Sequence, residues 1–112
     1  MDNTQKKKTA IATRLALARK QAGLSQAQVA KILDLHRPSI SEAEAGRRNV
    51  TGAELATLAE IYGVDIEWLA CADTGVANES RDRIQLAARE LAKLKKDDLE
   101  KVLGLLSALK KA

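Results

Sequence analysis

Apolar residues recur along this chain at intervals of three and four positions, the spacing that places side chains on one face of a helix. Most of the apolar residues are Ala and Leu, and Phe is absent, which favours helices over a sheet. The pattern predicts an all-α protein. Its predicted helices cover residues 10–22, 25–33 and 37–45, then Thr51 to a stop at Gly63, a short helix capped by Asp65, residues 80–95, and a last helix capped by Asp97.

Two pairs of residues predict where helices begin. Ser25 with Gln28, and Thr51 with Glu54, have the spacing of a capping box. In each pair the hydroxyl can accept the backbone N–H three residues on, while the longer side chain reaches back to the N–H of the capping residue. Gly46 is expected to end the second of the two short helices with a left-handed cap.

The segment from Gly23 to Gly46 therefore predicts two short helices joined by a tight turn. Asp34 falls where the chain must turn, and Asp tolerates the left-handed region better than most residues. Pro38 fits the first turn of the second helix, where a missing N–H costs little. This layout is typical of a helix-turn-helix, whose second helix enters the DNA major groove.

In this segment and just beyond it, the sequence resembles the phage lambda repressor and Cro type of helix-turn-helix, often called the Xre family. The resemblance covers roughly residues 10 to 70. In two places the sequence departs from the family, with Asp34 where glycine is usual and Ala43 where a larger aliphatic is usual. The matching residues are Leu24-Ser25-Gln26, Ala30, Ile40-Ser41, Glu44, Gly46, Leu55, Leu58-Ala59, Tyr62-Gly63-Val64 and Trp68-Leu69.

The resemblance implies a five-helix lambda-repressor-like DNA-binding domain over residues 10–71. It also implies an ion pair between Arg19 and Glu44 that ties the first helix to the recognition helix. At the position of Gln26 the family holds a DNA phosphate, although helix capping alone is an alternative role for this residue.

The side chains of the second motif helix predict which groups read bases. Arg37 can bond bidentately to guanine O6 and N7, or contact a phosphate instead. Glu42 can accept from cytosine N4, repel phosphates at wrong sites, or lie in solvent. Ser41 can donate to a base or a phosphate, and Pro38 offers apolar contact to a thymine methyl. Further contacts to the DNA backbone are expected from His36, Ser39, Arg47, Arg48 and Asn49, and His36 can alternatively cap the recognition helix.

The charge of the chain is unevenly distributed. Residues 1–50 carry ten Lys and Arg against four Asp and Glu (+6), and residues 81–112 carry nine against five (+4). Residues 51–80 carry six acidic residues and no Lys or Arg (−6). The basic part coincides with the predicted motif, as duplex binding requires, although Lys and Arg also solvate helix faces in many small proteins.

Outside the motif, the sequence predicts a flexible basic arm over residues 1–9, a linker over 72–79 and an antiparallel helical hairpin over 80–112. The arm could follow phosphates, enter the minor groove or only aid solubility. The hairpin has more aliphatic surface than two helices bury alone, which favours dimerisation, with a clasp on its own domain as the alternative. The predicted dimer residues are Ile84, Leu91, Leu99, Val102, Leu103, Leu106 and Leu109.

Together these observations predict a transcriptional regulator, most simply a repressor that binds a twofold operator in double-stranded DNA as a homodimer. The alternative is an antitoxin or a metallopeptidase partner whose hairpin binds another protein, with DNA binding for autoregulation. No enzyme, metal site or cofactor is expected, because the chain offers no nucleophile with a base, no Cys/His cluster and no phosphate loop. The single Cys71, the absence of a signal peptide and the lack of a long apolar run predict a cytoplasmic, nucleoid-associated protein.

Overall fold

The structure, a computed structural model, describes residues 3–111 of the 112-residue chain. The described residues form helices without strands, which confirms the all-α class. In chain order the helices are α1 (Asn3–Gln21), α2 (Gln26–Ile32), α3 (Arg37–Glu44), α4 (Gly52–Tyr62), α5 (Ile66–Leu69), α6 (Glu79–Ala92) and α7 (Lys96–Lys111).

Helix α1 is the element around which the others pack, since it contacts α3, α4, α5 and α6. Its side chains Leu15 and Ala18 are almost completely buried. Residues from α2 to α6 complete one apolar core around them, and the largest contributions are Val29, Ile40, Leu55, Leu58, Tyr62, Trp68, Leu69 and Leu86.

The predicted helix boundaries are confirmed where they depend on local chemistry. Both capping boxes form, with the Ser25 hydroxyl accepting from Gln28 N–H and the Thr51 hydroxyl from Glu54 N–H. Gly46, after α3, has the predicted left-handed backbone, with a φ of 74°. Local hydrogen bonding therefore sets the residues at which α2 and α4 begin.

The predicted flexible arm is helical over the part that the structure describes, because α1 begins at Asn3 rather than at residue 10. Met1 and Asp2 lie outside the described residues. Lys and Gln favour helices, and the added turns also rest on the end of α3. Gln5 Nε2 donates to the carbonyl oxygen of Gly46 at 3.4 Å, and a Cβ placed on Gly46 would lie 3.7 Å from Thr9 Cα.

The last helix also begins earlier than predicted. Asp97 lies in the first turn of α7 instead of capping it, since α7 starts at Lys96. A carboxylate in the first turn still interacts favourably with the positive end of the helix dipole.

The predicted antiparallel hairpin differs from the structure, because α6 packs against α1 and not along α7. Leu86 of α6 is 4% exposed, whereas Ile84 on the other side of the helix is 70% exposed. Lys93 Nζ donates to the Gly63 carbonyl at 2.9 Å and holds the end of α6 near α4. Helix α6 is therefore the clasp on its own domain, while α7 buries none of its described side chains.

A buried arginine joins α6 to α1, and no sequence pattern predicted this. The Arg14 side chain is fully buried, and its Nε donates to Asp82 Oδ1 at 3.0 Å. Its two terminal nitrogens bond to Asp73 at 2.7 and 2.9 Å, and Nη1 also donates to the Trp68 carbonyl at 2.6 Å. The Trp68 indole in turn donates to Gln85 Oε1 at 2.8 Å. We call these five residues the Arg14 cluster.

Because of the Arg14 cluster, the stability of the fold should vary with pH in the acid range. The hydrogen bonds from Arg14 lower the pKa of Asp73 to about 2. Because its folded pKa lies below the ordinary value, ionised Asp73 stabilises the protein above about pH 4, and this contribution disappears as the pH falls through 2. We expect wild type to have a higher melting temperature than Asp73→Asn at pH 5. The two melting temperatures should converge near pH 2. A difference that stays constant with pH would contradict this assignment.

Truncation tests whether α6 belongs to the folded domain. A chain ending at residue 71 keeps the five predicted helices but leaves the buried Arg14 without Asp73 and Asp82. We expect it to lose at least about 3 kcal/mol of unfolding free energy, because it loses both the ion pairs of Arg14 and the packing of Leu86 on the core. A chain ending at residue 94 retains α6 and is the control, with an expected stability near that of the full chain. Urea unfolding measures both, and equal stability of the two truncated chains would exclude α6 from the domain.

Candidate nucleic-acid interface

Asp34, one of the two residues that depart from the family pattern, forms the turn between α2 and α3. Asp34 adopts a left-handed backbone with a φ of 55°. The next N–H, of Leu35, donates to the Ala30 carbonyl at 2.8 Å and closes the end of α2. His36 then precedes α3 as its N-cap without a side-chain cap hydrogen bond, and Pro38 lies in the first turn as predicted.

Helix α3 has one buried face and one open face. Ile40 and Ala43 are 4% and 5% exposed and fix the buried face in the core. The four predicted base-contact residues lie on the other side. Arg37 and Pro38 are exposed, and Ser41 and Glu42, one turn further along, are partly exposed. The structure thus brings together the side chains Arg37, Pro38, Ser41 and Glu42.

The end of α3 is held to α1 by the ion pair that the family resemblance implies. Arg19 Nε and Nη2 bond to the two carboxylate oxygens of Glu44 at 2.7 and 3.0 Å. The side chains are only 12% and 7% exposed, and the hydrogen bonds that Arg19 donates to Glu44 raise the pKa of Arg19. Arg19 also donates to the Leu24 carbonyl at 2.8 Å, and Gln26 Nε2 donates to Glu44 at 3.1 Å. These contacts fix α3 relative to both α1 and the start of α2.

Glu42 and Arg47 form an exposed pair at the edge of the open face, with Arg47 Nε donating to Glu42 Oε2 at 2.8 Å. The hydrogen bond from Arg47 lowers the pKa of Glu42, which is therefore ionised at neutral pH. Their side chains are 45% and 65% exposed, so water competes with the pair and either group can leave it for DNA at little cost.

Unlike Arg47, Arg48 bonds through its guanidinium to other parts of the protein. It donates to the Ser39 carbonyl at 3.0 Å and to Glu54 Oε1 at 3.1 Å, which connects α3 to the capping box of α4. Burial raises the pKa of Glu54, but the hydrogen bonds from Arg48 and Thr51 outweigh it and lower the pKa overall. Asn49 next to it is exposed.

One basic surface beside this loop could not be predicted from the sequence. A cleft of about 450 Å³ separates the first turns of α1 from the loop after α3, and Lys7, Lys8, Arg48 and Asn49 are among its lining residues. The only available signal was the run Lys6-Lys7-Lys8, which was assigned to an arm. Once these residues are helical, their position beside the loop follows from the packing of Gln5 and Thr9 on Gly46.

Other kinds of site find little support in the described part of the chain. No group of three or more His, Cys, Asp or Glu there could hold a metal ion. Between residues 3 and 111, no helix combines the length and apolarity needed to cross a membrane. Cys71 is buried, and burial raises the pKa of its thiol, which makes it a poor nucleophile.

A comparison with known proteins identifies the part of the chain that contains the candidate interface. A family model for the helix-turn-helix of the Xre and lambda repressor-like class matches residues 15–69, from the middle of α1 to the end of α5. No curated protein matches the chain. The matched segment contains the whole of α2 and α3, both residues of the Arg19–Glu44 pair and all four candidate base contacts.

Substitution of Arg19 tests how much the recognition helix depends on its anchor. Arg19→Met leaves Glu44 buried without its counter-charge, so we expect about 3–5 kcal/mol of lost stability. Arg83→Met is the control, since the pair of Arg83 with Glu79 is exposed at both ends and contributes little. Denaturant unfolding measures the two variants. The loss in Arg19→Met/Glu44→Leu should be smaller than the sum of the single losses, and additivity would contradict the coupling.

Proposed function

Because residues 15–69 match the family model for the helix-turn-helix of the Xre and lambda repressor-like class, we propose that the chain is a sequence-specific transcription regulator of this class. We propose further that it acts as a repressor, binding a twofold operator as a homodimer. The observation that carries the proposal is that α3 has two different faces. Ile40, Ala43 and Glu44 pack into the protein, whereas Arg37 and Pro38 are exposed.

Each residue of the open face has a role that its chemistry supports. Arg37 at the start of α3 reads guanine through O6 and N7, the bidentate pairing that its planar fork fits. Glu42 accepts from cytosine N4 after leaving Arg47, and Ser41 donates to a base or phosphate. Pro38 contacts a thymine methyl. An exposed start of the recognition helix is the part that reaches base edges in this class of motif.

The surrounding polar residues provide contacts to the DNA backbone. His36, Ser39, Arg47 and Asn49 lie next to the open face of α3 in the sequence and carry donors suited to phosphates. Gln26 and Arg48 were predicted to act in the same way. Their side chains are already bonded to Glu44 and to Glu54, and we propose that they orient the interface and contact phosphates only secondarily.

Binding of the dimer to its operator would be sufficient for repression. A dimer bound to a twofold site places its two recognition helices about one DNA turn, ~34 Å, apart and can block access of polymerase. This mechanism needs no catalytic group and no cofactor. We assign the dimer contacts to apolar residues of α6 and α7 that are exposed or half-buried, with Ile84 and Leu91 on the first and Leu99, Val102, Leu103, Leu106 and Leu109 on the second.

A second candidate function is that of an interaction protein, such as an antitoxin or a metallopeptidase partner. The free apolar face of α7 is the observation that favours it. A toxin or peptidase gene beside this one would support it, as would capture of that gene product by the full chain but not by a chain ending at residue 94. Because that truncation keeps α6, its loss of binding would report on α7 and not on unfolding.

Two arginine substitutions distinguish base reading from phosphate binding. Selection from a random duplex library first defines the preferred site, and binding is then measured on that site and on single-base variants. We expect Arg37→Ala to lose about 1–3 kcal/mol on the preferred site and to relax the preference at one base pair. Arg47→Ala, the control, should weaken all duplexes evenly and reduce the salt dependence. Even weakening by Arg37→Ala would refute base reading by this residue, and a library with no preferred site would refute the proposed function.

A further inference from the structure

The cleft between the first turns of α1 and the loop after α3 is lined by three cationic side chains. We call it the α1 cleft. Its volume of about 450 Å³ lies within the range of small-ligand pockets. Among the described residues that line it, Lys7, Lys8 and Arg48 are cationic and none is acidic. A concave surface with charge of one sign concentrates ligands of the opposite sign, so the cleft suits an anion.

The two lysines supply charge that the protein itself leaves uncompensated. Lys7 is exposed and Lys8 is half-buried, and neither forms a salt bridge with another residue between 3 and 111. Arg48 differs, because its Nη1 already lies 3.1 Å from Glu54 Oε1. An anion in the cleft can therefore compensate Lys7 and Lys8 without breaking an ion pair of the fold.

The floor of the α1 cleft is apolar. Ile11 and Val50, which line it, are half-buried, and Ala43 between them and the core is 5% exposed. Inorganic phosphate gains nothing from such a floor, whereas an apolar ring or chain is removed from water when it lies there. The combination of cationic walls and an apolar floor therefore favours an organic anion over a bare one.

The α1 cleft lies beside the DNA-reading face and not on it. Ala43 belongs to the buried side of α3, whereas the candidate base contacts Arg37 and Pro38 belong to the open side. Asn49, a proposed contact to the DNA backbone, also lines the cleft. A bound anion therefore leaves the base-reading side chains free but places negative charge near a DNA phosphate, which it repels.

We propose that the α1 cleft binds a small organic anion, with a carboxylate or phosphate head at Lys7 and Lys8 and an apolar body on Ile11 and Val50. Its binding weakens the affinity of the chain for DNA, which makes the ligand an effector. The ligand site stands on the cleft alone, whereas the effect on DNA rests on the proposed function. By linkage, bound DNA must weaken ligand binding by the same factor.

Naphthoate and naphthyl phosphate are the probes for the first test, because each joins an anionic head to an apolar body. They are titrated into the full isotope-labelled chain without DNA, and the chemical shifts of the backbone N–H groups report where they bind. We expect shift changes centred on Ile11 and Val50. Naphthamide, the same body without charge, and inorganic phosphate, a charge without the body, should each bind at least about tenfold more weakly.

A pair of lysine variants tests recognition of the head. Lys7→Gln/Lys8→Gln removes two charges from the cleft, and the control Lys6→Gln/Lys20→Gln removes two charges from exposed positions of α1 outside its lining. We expect the dissociation constant of naphthoate to rise about tenfold in the first variant and to change little in the control.

A pair of valine variants tests recognition of the body. Val50→Thr keeps the size of the side chain but puts a hydroxyl into the floor, and the control Val76→Thr makes the same change at an exposed position far along the chain. We expect naphthoate to bind about threefold more weakly to Val50→Thr and equally well to Val76→Thr. Melting curves of both variants confirm that the comparison is made on folded protein.

The second test measures the effect of the ligand on DNA binding. Fluorescence anisotropy gives the affinity for the preferred duplex with and without saturating naphthoate. We expect naphthoate to weaken DNA binding by wild type about fivefold. The affinity of Lys7→Gln/Lys8→Gln should not change, which separates ligand binding from the effect of an added salt, and naphthamide should have little effect on wild type.

Several outcomes would overturn the proposal. These are the failure of both naphthoate and naphthyl phosphate to bind, shift changes confined to the apolar face of α7, and equal binding to the two lysine variants. If Lys7→Gln/Lys8→Gln weakens DNA binding while neither probe binds, the cleft is a contact for DNA phosphates and not a ligand site. Because ligand binding is measured without DNA, the two proposals can fail separately. Naphthoate bound in the cleft of a chain without DNA preference would reject the proposed function, and DNA reading unaffected by bound naphthoate would reject the effector role.

Discussion

The bidentate pair between Arg19 and Glu44 is the interaction on which the candidate interface depends. The recognition helix α3 is only eight residues long and depends on contacts with the rest of the protein for its position. Its two buried apolar residues determine which face of the helix points into the core, but not its position along α1. Two parallel hydrogen bonds at 2.7 and 3.0 Å define that position. Arg19 also donates to the Leu24 carbonyl and Glu44 also accepts from Gln26, and these hydrogen bonds further compensate the two charges despite their burial. The outward face of α3 can then present its side chains in one arrangement.

A second arginine of α1 performs the corresponding task on the other side of the helix. Arg14 connects α6 with the segment after α5 through Asp82 and Asp73, and its guanidinium stacks 4.8 Å from the centre of the Trp68 ring. Asp82 Oδ1 also accepts from Arg81 at 3.1 Å, so two guanidinium groups share this carboxylate, while its Oδ2 is buried without a hydrogen-bond partner among the described residues. Helix α1 is therefore a common support for the recognition helix and for the clasp that leads to α7.

The elements that could be predicted from sequence are those specified within a few residues. The boxes at Ser25 and Thr51, the left-handed Asp34 and the stop at Gly46 each satisfy backbone groups locally, and all of them form. The clasp by α6 was missed because it depends on Arg14 meeting Asp82, 68 residues away, and a single sequence gives no sign of such a pair. The first turns of α1 were missed for the same reason, since the contact of Gln5 with Gly46 spans 41 residues. For the candidate interface, residue types and spacing predicted the open face, but not that Arg48 and Gln26 are already bonded within the protein.

The central claim is that α3 reads DNA sequence, and fluorescence anisotropy tests it most directly. The full chain is titrated onto the duplex upstream of its own gene and onto a scrambled duplex of the same composition, at two salt concentrations. Phosphate contacts weaken on both duplexes as salt rises, whereas base contacts preserve the difference between them. We predict a preference for the native duplex that persists at the higher salt. Equal binding of both duplexes that disappears with salt would show a basic surface without sequence reading and would contradict the account.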